Sequence, residues 1–498
     1  MGGATGVSEG TSYRQILRSS SIIGGASVVN IGVGLLRMKA AAVLLGPAGV
    51  GLVGLMQSLV ATAGSVASVG LGMAGTRQVA EANGRGDAQA TASARRALAW
   101  AALALACLGG LLFWALRGVL AREVLAGAMP AGAVGWLALG VAVSVAAGGQ
   151  AALLNGMRRI GDIARVNVFA AMLSTIVGIA ILVAWGERAI VGFVLAAPVA
   201  TWLVGVFFVR RLPATATART TFADLWSQWS GLARMGFALM LSGLAGLLGQ
   251  LLVRTLVQRE LGADDLGQFQ AAWLVSMTYI GFVLGAMATD YYPRLTAAIA
   301  EPAQVNRMVN EQAEVALMLA TPPFLALVGL APWVVRILYS DEFGAAVDIL
   351  RWQVLGDVLK VASWPLSFVL LAAGAARSYL ATEVLAFGTF AAFTWLGLPL
   401  LGVEATGIGF LLMYALQLPV VYLLARRLTG FRWRGGVLLQ AAATFAMVAA
   451  IVLLSLRGNG AAAVAGTLLA AVTGAYAAWR LRGRLRGSVV AQDGGPPA

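Results

Sequence analysis

Three cationic side chains lie inside or at the margin of strongly apolar stretches of this sequence: Arg37, Lys39 and Lys360. Lys39 and Lys360 are the only lysines in the chain. A charge at the centre of a membrane-spanning helix costs on the order of 2.5–3.5 kcal/mol on insertion scales, so it normally faces a bundle interior or a wet cavity. These residues are therefore candidates for binding an anionic substrate. For Arg37 and Lys39, snorkelling to the membrane interface is the alternative, because "LLGPAG" follows closely.

A second polar group occurs in the apolar stretch "RWQVLGDVLKVASWP", residues 351–365. Four of its residues share one helical face, at i, i+4, i+7 and i+11: Gln353, Asp357, Lys360 and Trp364. Asp357 and Lys360 can pair, which lowers the cost of inserting both charges. A structural ion pair is one explanation. The run of polar groups favours a cavity wall, in which the breakage or protonation of a state-dependent pair couples to closure.

Amide side chains in the predicted spans add further candidates. Asn30 lies at i and Arg37 at i+7, so the two share a stripe of the first span. Gln57 and Gln250 are similar amides in other spans, and Gln353 belongs to the stripe above. We expect these four side chains to line a polar cavity and hydrogen-bond a sugar or a diphosphate, although packing of polar groups is the simpler explanation.

The composition argues against several kinds of chemistry. The chain has no histidine, which argues against a His-ligated metal site and a Ser/His/Asp triad. Its single cysteine, Cys107, lies in an apolar run and cannot form a disulfide within the chain. We therefore expect no catalytic residue, no metal and no cofactor.

The elements that must position these residues are membrane helices. The chain has 498 residues, of which 60% are hydrophobic and 11% charged, a balance that soluble domains do not show. A span needs about 20 mostly apolar residues. Hydropathy predicts an all-α polytopic membrane protein with about fourteen transmembrane helices, at residues 19–46, 49–74, 96–117, 131–156, 166–186, 190–209, 232–256, 267–289, 312–339, 346–374, 379–400, 404–425, 437–456 and 460–479.

The basic residues predict the orientation of the chain. Most of the arginines fall in loops on one side of the membrane when the N-terminus is placed in the cytoplasm. This bias also explains the formal net charge of +14 without a nucleic-acid partner, because the arginines occur in short loops without aromatic stacking platforms. We expect both termini to be cytoplasmic.

Two short motifs suggest an internal repeat. "LGPAGVG" at 45–51 and "LGADDLG" at 261–267 share their Leu, Gly and final Gly with an offset of 216 residues. Six predicted spans lie between the copies, so both halves have the same orientation, as in some transporters built by parallel duplication. Under this offset Arg37 corresponds to the neighbourhood of Arg254. Chance similarity between Gly/Ala-rich segments is the alternative.

Three stretches resemble a known family: "LLRMKAAAVLLGPAGVGLVGLMQSLV", "GLGMAGTRQVAEA" and "LRWQVLGDVLKVASW". They look like the O-antigen and enterobacterial common antigen translocases, which are lipid-linked oligosaccharide flippases of the multidrug, oligosaccharidyl-lipid and polysaccharide exporter superfamily. The resemblance covers roughly residues 12–430. It implies two six-helix lobes around a central cavity that work by alternating access, with arginines near the position of Arg37 lining the cavity in the related peptidoglycan flippases. Residues beyond 430 depart from it and read as two more spans.

With this resemblance, the sequence predicts five segments. They are an N-terminal six-helix lobe at 1–210, a cytoplasmic linker at 211–230, a C-terminal six-helix lobe at 231–430, two additional helices at 431–480, and a basic, then disordered cytoplasmic tail at 481–498. We expect the protein in the bacterial inner membrane. Its expected function is to flip an undecaprenyl-diphosphate-linked oligosaccharide, such as an O-antigen unit for lipopolysaccharide biosynthesis, from the cytoplasmic to the periplasmic leaflet.

In this interpretation Arg37, Lys39 and Arg254 contact the diphosphate, because guanidinium binds phosphate bidentately and an ammonium acts as a point charge. A polysaccharide polymerase and a chain-length regulator are further candidate partners, besides the lipid bilayer. A cation-coupled drug exporter is the first alternative, disfavoured because the intramembrane excess is basic. A membrane-embedded polymerase is the second, disfavoured because the longest predicted outward connection, at 118–130, is short.

Overall fold

The computed structural model describes residues 8–213 and 243–493, and the regular structure in these ranges is helical. Helices satisfy their backbone hydrogen bonds internally, as a bilayer requires. The helices are α1 Ser8–Ser68, α2 Leu71–Gly84, α3 Ala88–Glu123, α4 Ala131–Gly156, α5 Ile160–Trp185, α6 Ile190–Arg210, α7 over 243–260, α8 Ala263–Ala298, α9 Pro302–Gly329, α10 Ala331–Leu338, α11 Ala345–Ala372, α12 Ala376–Leu401, α13 Ala405–Thr429, α14 Gly435–Ser455 and α15 Asn459–Asp493. The predicted all-α fold class is confirmed.

Nine helical segments within the described ranges are long and apolar enough to cross a membrane. Three of them, Gly25–Ser68, Ile160–Arg210 and Ala376–Thr429, cover 44, 51 and 54 residues. Since about 20 residues suffice for one span, each holds two of the spans predicted from hydropathy. The first is broken at Gly46, and the other two at short 3-10 turns. The protein is a polytopic membrane protein.

The chain forms two compact units, Met1–Gly267 and Gln268–Ala498. In the first unit, helices α3, α4 and α6 bury a shared apolar cluster that includes Leu98, Leu154 and Phe208. Many neighbours in this cluster are alanines, which let helix backbones approach closely where lipid supplies no hydrophobic driving force between helices.

The two copies of the predicted repeat have the same backbone break. Gly46 adopts φ 64° at the kink of α1, and Gly262, its equivalent, adopts φ 90° in the turn between α7 and α8. Only glycine enters this left-handed region without steric cost. The conserved position of the glycine in both motifs therefore has a structural reason, which supports the repeat over chance similarity.

In the second unit, α11 lies among α9, α12, α13 and α14. Aromatic rings fill the space around it: Trp273 stacks on Phe390 at 5.9 Å between centroids, and Phe410 meets Trp273 edge-on at 5.6 Å. A second cluster contains Tyr291 and Phe431. Because neighbours surround α11, most of this helix is buried within the second unit.

Two of the predicted segments include residues outside the described ranges. The linker at 211–230 lies, after Pro213, outside the described residues, as does the start of the span at 232–256. Helix α15 continues to Asp493 and so takes in the first part of the expected tail at 481–498, whose last five residues are again outside the described ranges. The lobe boundaries stay predictions.

Candidate functional site

Asp357 is fully buried on α11, and helix α8 binds its carboxylate. Its Oδ2 accepts hydrogen bonds from the hydroxyls of Ser276 and Tyr279, each at 2.6 Å. Hydroxyl-to-carboxylate bonds of this length are among the strong ones in proteins. One oxygen of the carboxylate is therefore held in place by α8.

The other oxygen of this carboxylate belongs to a group of unpaired polar atoms. Oδ1 of Asp357 has no hydrogen-bond partner among the residues that the structure describes, and the same is true of both amide atoms of Gln353, one turn earlier and equally buried. Buried polar atoms are normally satisfied. The unpaired Oδ1 of Asp357 is chemically suited to receive a proton, a cation or a water molecule.

The structure does not form the ion pair predicted between Asp357 and Lys360. The Lys360 ammonium lies 3.3 Å from the sulfur of Met277 and forms no salt bridge with Asp357, which accepts hydrogen bonds from hydroxyls of α8; the two charges still interact electrostatically at longer range. Their spacing along α11 permits a pair, but it cannot reveal competing partners on another helix. Two α8 hydroxyls take the place expected for the lysine.

Lys360 lines a cavity of about 240 Å³ bounded by α11, α12 and α13. Its ammonium also lies 5.9 Å and 5.8 Å from the ring centroids of Phe410 and Tyr414, distances at which a cation is attracted to an aromatic face. Trp364 lines the same cavity. The four residues on the polar face of α11 therefore have two different environments. Gln353 and Asp357 are enclosed by protein, while Lys360 and Trp364 face a cavity.

Glu383 is a residue of this cavity that the sequence reasoning missed. It lies on α12, accepts a hydrogen bond from Gln417, and interacts electrostatically with Lys360. The signal was present, since Glu383 is the one acidic residue of the predicted span at 379–400. The cavity is therefore lined by both charges, by the three amphipathic aromatic rings of Trp364, Tyr379 and Tyr414, and by the amide of Gln417.

In the first unit, Arg37 is buried, with 9% of its surface exposed. Its Nη2 donates a 2.6 Å hydrogen bond to the carbonyl oxygen of Phe193, and its guanidinium carbon lies 4.4 Å from the centroid of the same ring. Nη1 lies 3.5 Å from the Ser174 hydroxyl, and Nε has no hydrogen-bond partner within the described part of the chain. Arg37 is therefore not a snorkelling residue; it joins α1 to α5 and α6.

Arg254 is also buried, and lies on α7. Its Nη1 is 3.3 Å from the backbone oxygen and 3.5 Å from the side-chain oxygen of Gln250, one turn earlier. The structure thus brings together two residues that the sequence named separately. Both contacts are long for charge-assisted hydrogen bonds.

The remaining predicted residues of the first unit are partly buried. Lys39 and Gln57 both have intermediate exposure on α1, on either side of the kink at Gly46. Asn30 is also partly buried, and its Oδ1 has no hydrogen-bond partner in the protein. The position of these residues agrees with a polar lining but does not by itself assign a ligand.

The chain matches the model of a known protein family. The family model described as "Polysaccharide biosynthesis protein" matches residues 41–348, more than half of the chain. The chain belongs to this family. The match to the polysaccharide biosynthesis protein family begins just before the kink of α1 and ends before the polar stripe of α11.

Curated relatives extend the similarity beyond that match. The lipid III flippases of Escherichia coli (strain K12) and Shigella flexneri are each 23% identical over 431 residues, covering 83% of this chain and 99% of theirs. The similarity thus runs through nearly the whole of each relative. The resemblance to lipid-linked oligosaccharide flippases noted in the three motifs is confirmed.

Solved structures share the fold of this chain. An inward-facing multidrug resistance MATE family transporter of the MOP superfamily superposes with a TM-score of 0.68 at 17% identity, covering 81% of this chain and 98% of that one. The lipid II flippase MurJ in an inward closed conformation also gives 0.68, at 12% identity, over 93% and 99%. The fold is therefore that of the MOP superfamily.

Proposed function

We propose that this protein is a flippase for an undecaprenyl-diphosphate-linked oligosaccharide, such as an O-antigen unit or a similar surface-polysaccharide precursor. Such a substrate has an anionic diphosphate, a large polar glycan and an apolar tail. Its head group must cross about 30 Å of hydrocarbon. The protein must therefore offer fixed cations, a polar cavity and a lateral opening for the tail.

The observation that carries this proposal is the cavity around Lys360. Within apolar helices it combines a cation, the carboxylate of Glu383 and the amphipathic ring of Trp364. A ring face suits the apolar face of a sugar, and the charged and amide groups suit its hydroxyls. The similarity to lipid III flippases over nearly their full length supports the same conclusion.

In this proposal the cationic side chains of the first unit bind the diphosphate. Arg37, Lys39 and Arg254 would act there, and Asn30, Gln57 and Gln250 would supply hydrogen bonds. Arg37 donates to the Phe193 carbonyl through one side of its fork, and its Nε, which is buried and unpaired among the described residues, would have to become accessible during the transport cycle to bind a phosphate oxygen. The bland alternative is that Arg37 only holds α1 against α6.

The remaining groups serve the conformational cycle. Asp357 would couple closure to a proton or a cation through its unpaired Oδ1, and Gln353, enclosed beside it on α11, would line the polar path only after a conformational change. We place the protein in the bacterial inner membrane with both termini cytoplasmic, working by alternating access toward the periplasm. A polymerase and a chain-length regulator would receive the product.

Transport in vesicles tests the proposal. Purified protein should move a labelled lipid-linked oligosaccharide between leaflets, measured as loss of label accessible to an external reagent. Lys360→Gln should lower the rate at least tenfold, while Arg294→Gln, which removes an exposed cation paired with Asp290, should leave it unchanged. A folded wild-type protein with no transfer above that of empty vesicles would refute the flippase assignment.

A cation-coupled drug exporter is the second candidate. Two buried or half-buried carboxylates, Asp357 and Glu383, favour it, because such groups receive a cation in a membrane. The fold, shared with a MATE transporter, is compatible with it. Efflux of a lipophilic cationic dye under an imposed sodium or proton gradient, without transfer of the lipid-linked oligosaccharide, would favour the exporter.

A polymerase is the third candidate, and no observation favours it. The described connection between α3 and α4 consists only of residues 124–130, too short for an external catalytic segment.

A further inference from the structure

A second cavity lies in the last third of the chain, away from Lys360. It has a volume of about 530 Å³ and is bounded by α9, α14 and α15. The proposed transport path does not use any of its residues. Its chemistry therefore needs an explanation of its own.

Small residues set the shape of this cavity. Gly329 on α9 and Gly466 on α15 touch so closely that a β-carbon on Gly466 would lie 2.9 Å from the Gly329 Cα. Further along, a β-carbon on Gly474 would lie 3.7 Å from Pro322. The two helices thus run antiparallel from a tight contact, and the cavity lies at the other end, beside Glu314 and Arg480.

The polarity of the lining changes along the helices. Each of the three helices contributes a charged residue to one end of the cavity: Glu314 on α9, Arg434 before α14 and Arg480 on α15. Deeper positions carry hydroxyls, including Thr321 and Thr444, which hydrogen-bond each other at 2.9 Å. Methionines and aliphatic side chains complete the wall. A polar end and an apolar body match the two parts of a membrane lipid.

Two of the three charged side chains of this cavity form an ion pair with each other, and the third does not take part in it. Arg480 donates to the Glu314 carboxylate at 2.7 Å and to the Tyr476 hydroxyl at 2.9 Å. The guanidinium of Arg434 has no hydrogen-bond or ion-pair partner among the described residues, whereas its backbone is fixed by a 2.8 Å hydrogen bond from its N–H to the side chain of Asn310. The cavity mouth therefore carries an uncompensated, well-positioned positive charge.

Arg434 also immediately precedes α14. The helix begins with Gly435 and Gly436, and a β-carbon at either would meet nothing within 4 Å. An anion can therefore approach the N-terminal backbone, where the helix dipole favours negative charge. Leu439, which lines the same cavity, has 72% of its surface exposed and offers an apolar surface to an acyl chain.

We propose that this cavity binds an anionic glycerophospholipid, with its phosphate between Arg434 and the N-terminus of α14 and an acyl chain along α14. This lipid is a bound partner of the protein and not its transported substrate. It would fasten the two additional C-terminal helices to α9, so that the lipid composition of the leaflet affects their stability.

Native mass spectrometry of the full-length protein, titrated with phosphatidylglycerol or phosphatidylcholine, tests this. We expect phosphatidylglycerol to bind at least tenfold more tightly than phosphatidylcholine, and Arg434→Ala to remove this preference. Arg432→Ala is the matched control: it deletes an exposed arginine two residues away that does not line the cavity, and it should keep the preference.

Other outcomes would overturn the proposal. If the preference of Arg434→Ala for phosphatidylglycerol were within twofold of the wild-type preference, or if Arg432→Ala lost as much of it, general surface charge would be what attracts the lipid. Displacement of phosphatidylglycerol by millimolar inorganic phosphate would indicate a free-anion site. Displacement by a lower concentration of undecaprenyl phosphate would assign the cavity to the transported lipid.

Discussion

Gly51 and Gly267, the final glycines of the two repeated motifs, each lie against a backbone carbonyl of the other motif. A β-carbon on Gly51 would lie 2.5 Å from the Ala263 oxygen, and one on Gly267 would collide with the Pro47 oxygen. Pro47 and Ala263 are themselves equivalent under the 216-residue offset. The contact is therefore reciprocal, and it explains why both motifs end in glycine.

This contact predicts that Gly267→Ala lowers stability. Since the added methyl group has no free volume, α1 and α8 must separate, and overpacking of this kind costs about 1–3 kcal/mol. We expect a lower thermal unfolding midpoint in detergent. Gly388→Ala is the control, because a β-carbon there meets nothing within 4 Å. Equal midpoints for the two variants would contradict the close approach.

A second prediction separates binding from packing at Arg37. Arg37→Lys keeps the charge but loses the planar fork and the stacking on Phe193. We expect this variant to reach the membrane and unfold near the wild-type temperature, yet to transport about tenfold more slowly in the vesicle assay. Ser174→Ala removes only the 3.5 Å contact and should have little effect. If Arg37→Lys transported at the wild-type rate, the role of Arg37 would be structural only.

A third prediction concerns the charges of the Lys360 cavity. If Lys360 and Glu383 interact across it, the effects of Lys360→Gln and Glu383→Gln on unfolding should not add, with a coupling of about 0.5–1 kcal/mol. Glu404, near the opposite end of α12, gives a control pair with Lys360 that should be additive. A thermal-unfolding double-mutant cycle measures both. If the effects on unfolding were additive in both pairs, Lys360 and Glu383 would not interact.

The sequence predicted the helices well because hydropathy is a property of each segment alone. The span at 131–156 coincides with α4, and the one at 346–374 nearly coincides with α11. The repeated motifs were also found, and Gly46 and Gly262 show that their glycines have a common backbone role.

The partners of the buried charges were not predictable in the same way. Helical spacing relates residues of one helix, whereas Ser276 and Tyr279 are 81 and 78 residues from Asp357 in the chain. The carbonyl of Phe193, which binds Arg37, has no sequence signature because every residue carries one. Only Glu383 had a usable signal, as a lone carboxylate in an apolar run.

The partners of Asp357 lead to the fourth prediction, which concerns exchanging the charges of α11. Were Asp357 and Lys360 an ion pair, Asp357→Lys combined with Lys360→Asp would restore folding. In the structure, however, a lysine at 357 would be fully buried facing the hydroxyls of Ser276 and Tyr279, and an isolated buried charge is strongly destabilising. We therefore expect the double variant to remain less stable than the wild-type protein.

Asp357→Asn is the control for this exchange, since a neutral amide can still accept the bonds from both hydroxyls of α8. Its unfolding midpoint should stay close to that of wild type, whereas Tyr279→Phe should lower the midpoint, because loss of a hydrogen bond to a charged group costs about 1.5–3 kcal/mol. Membrane yield and thermal unfolding measure all of these variants. Recovery of wild-type stability in the charge-exchanged protein would show that Asp357 depends on Lys360 and not on α8.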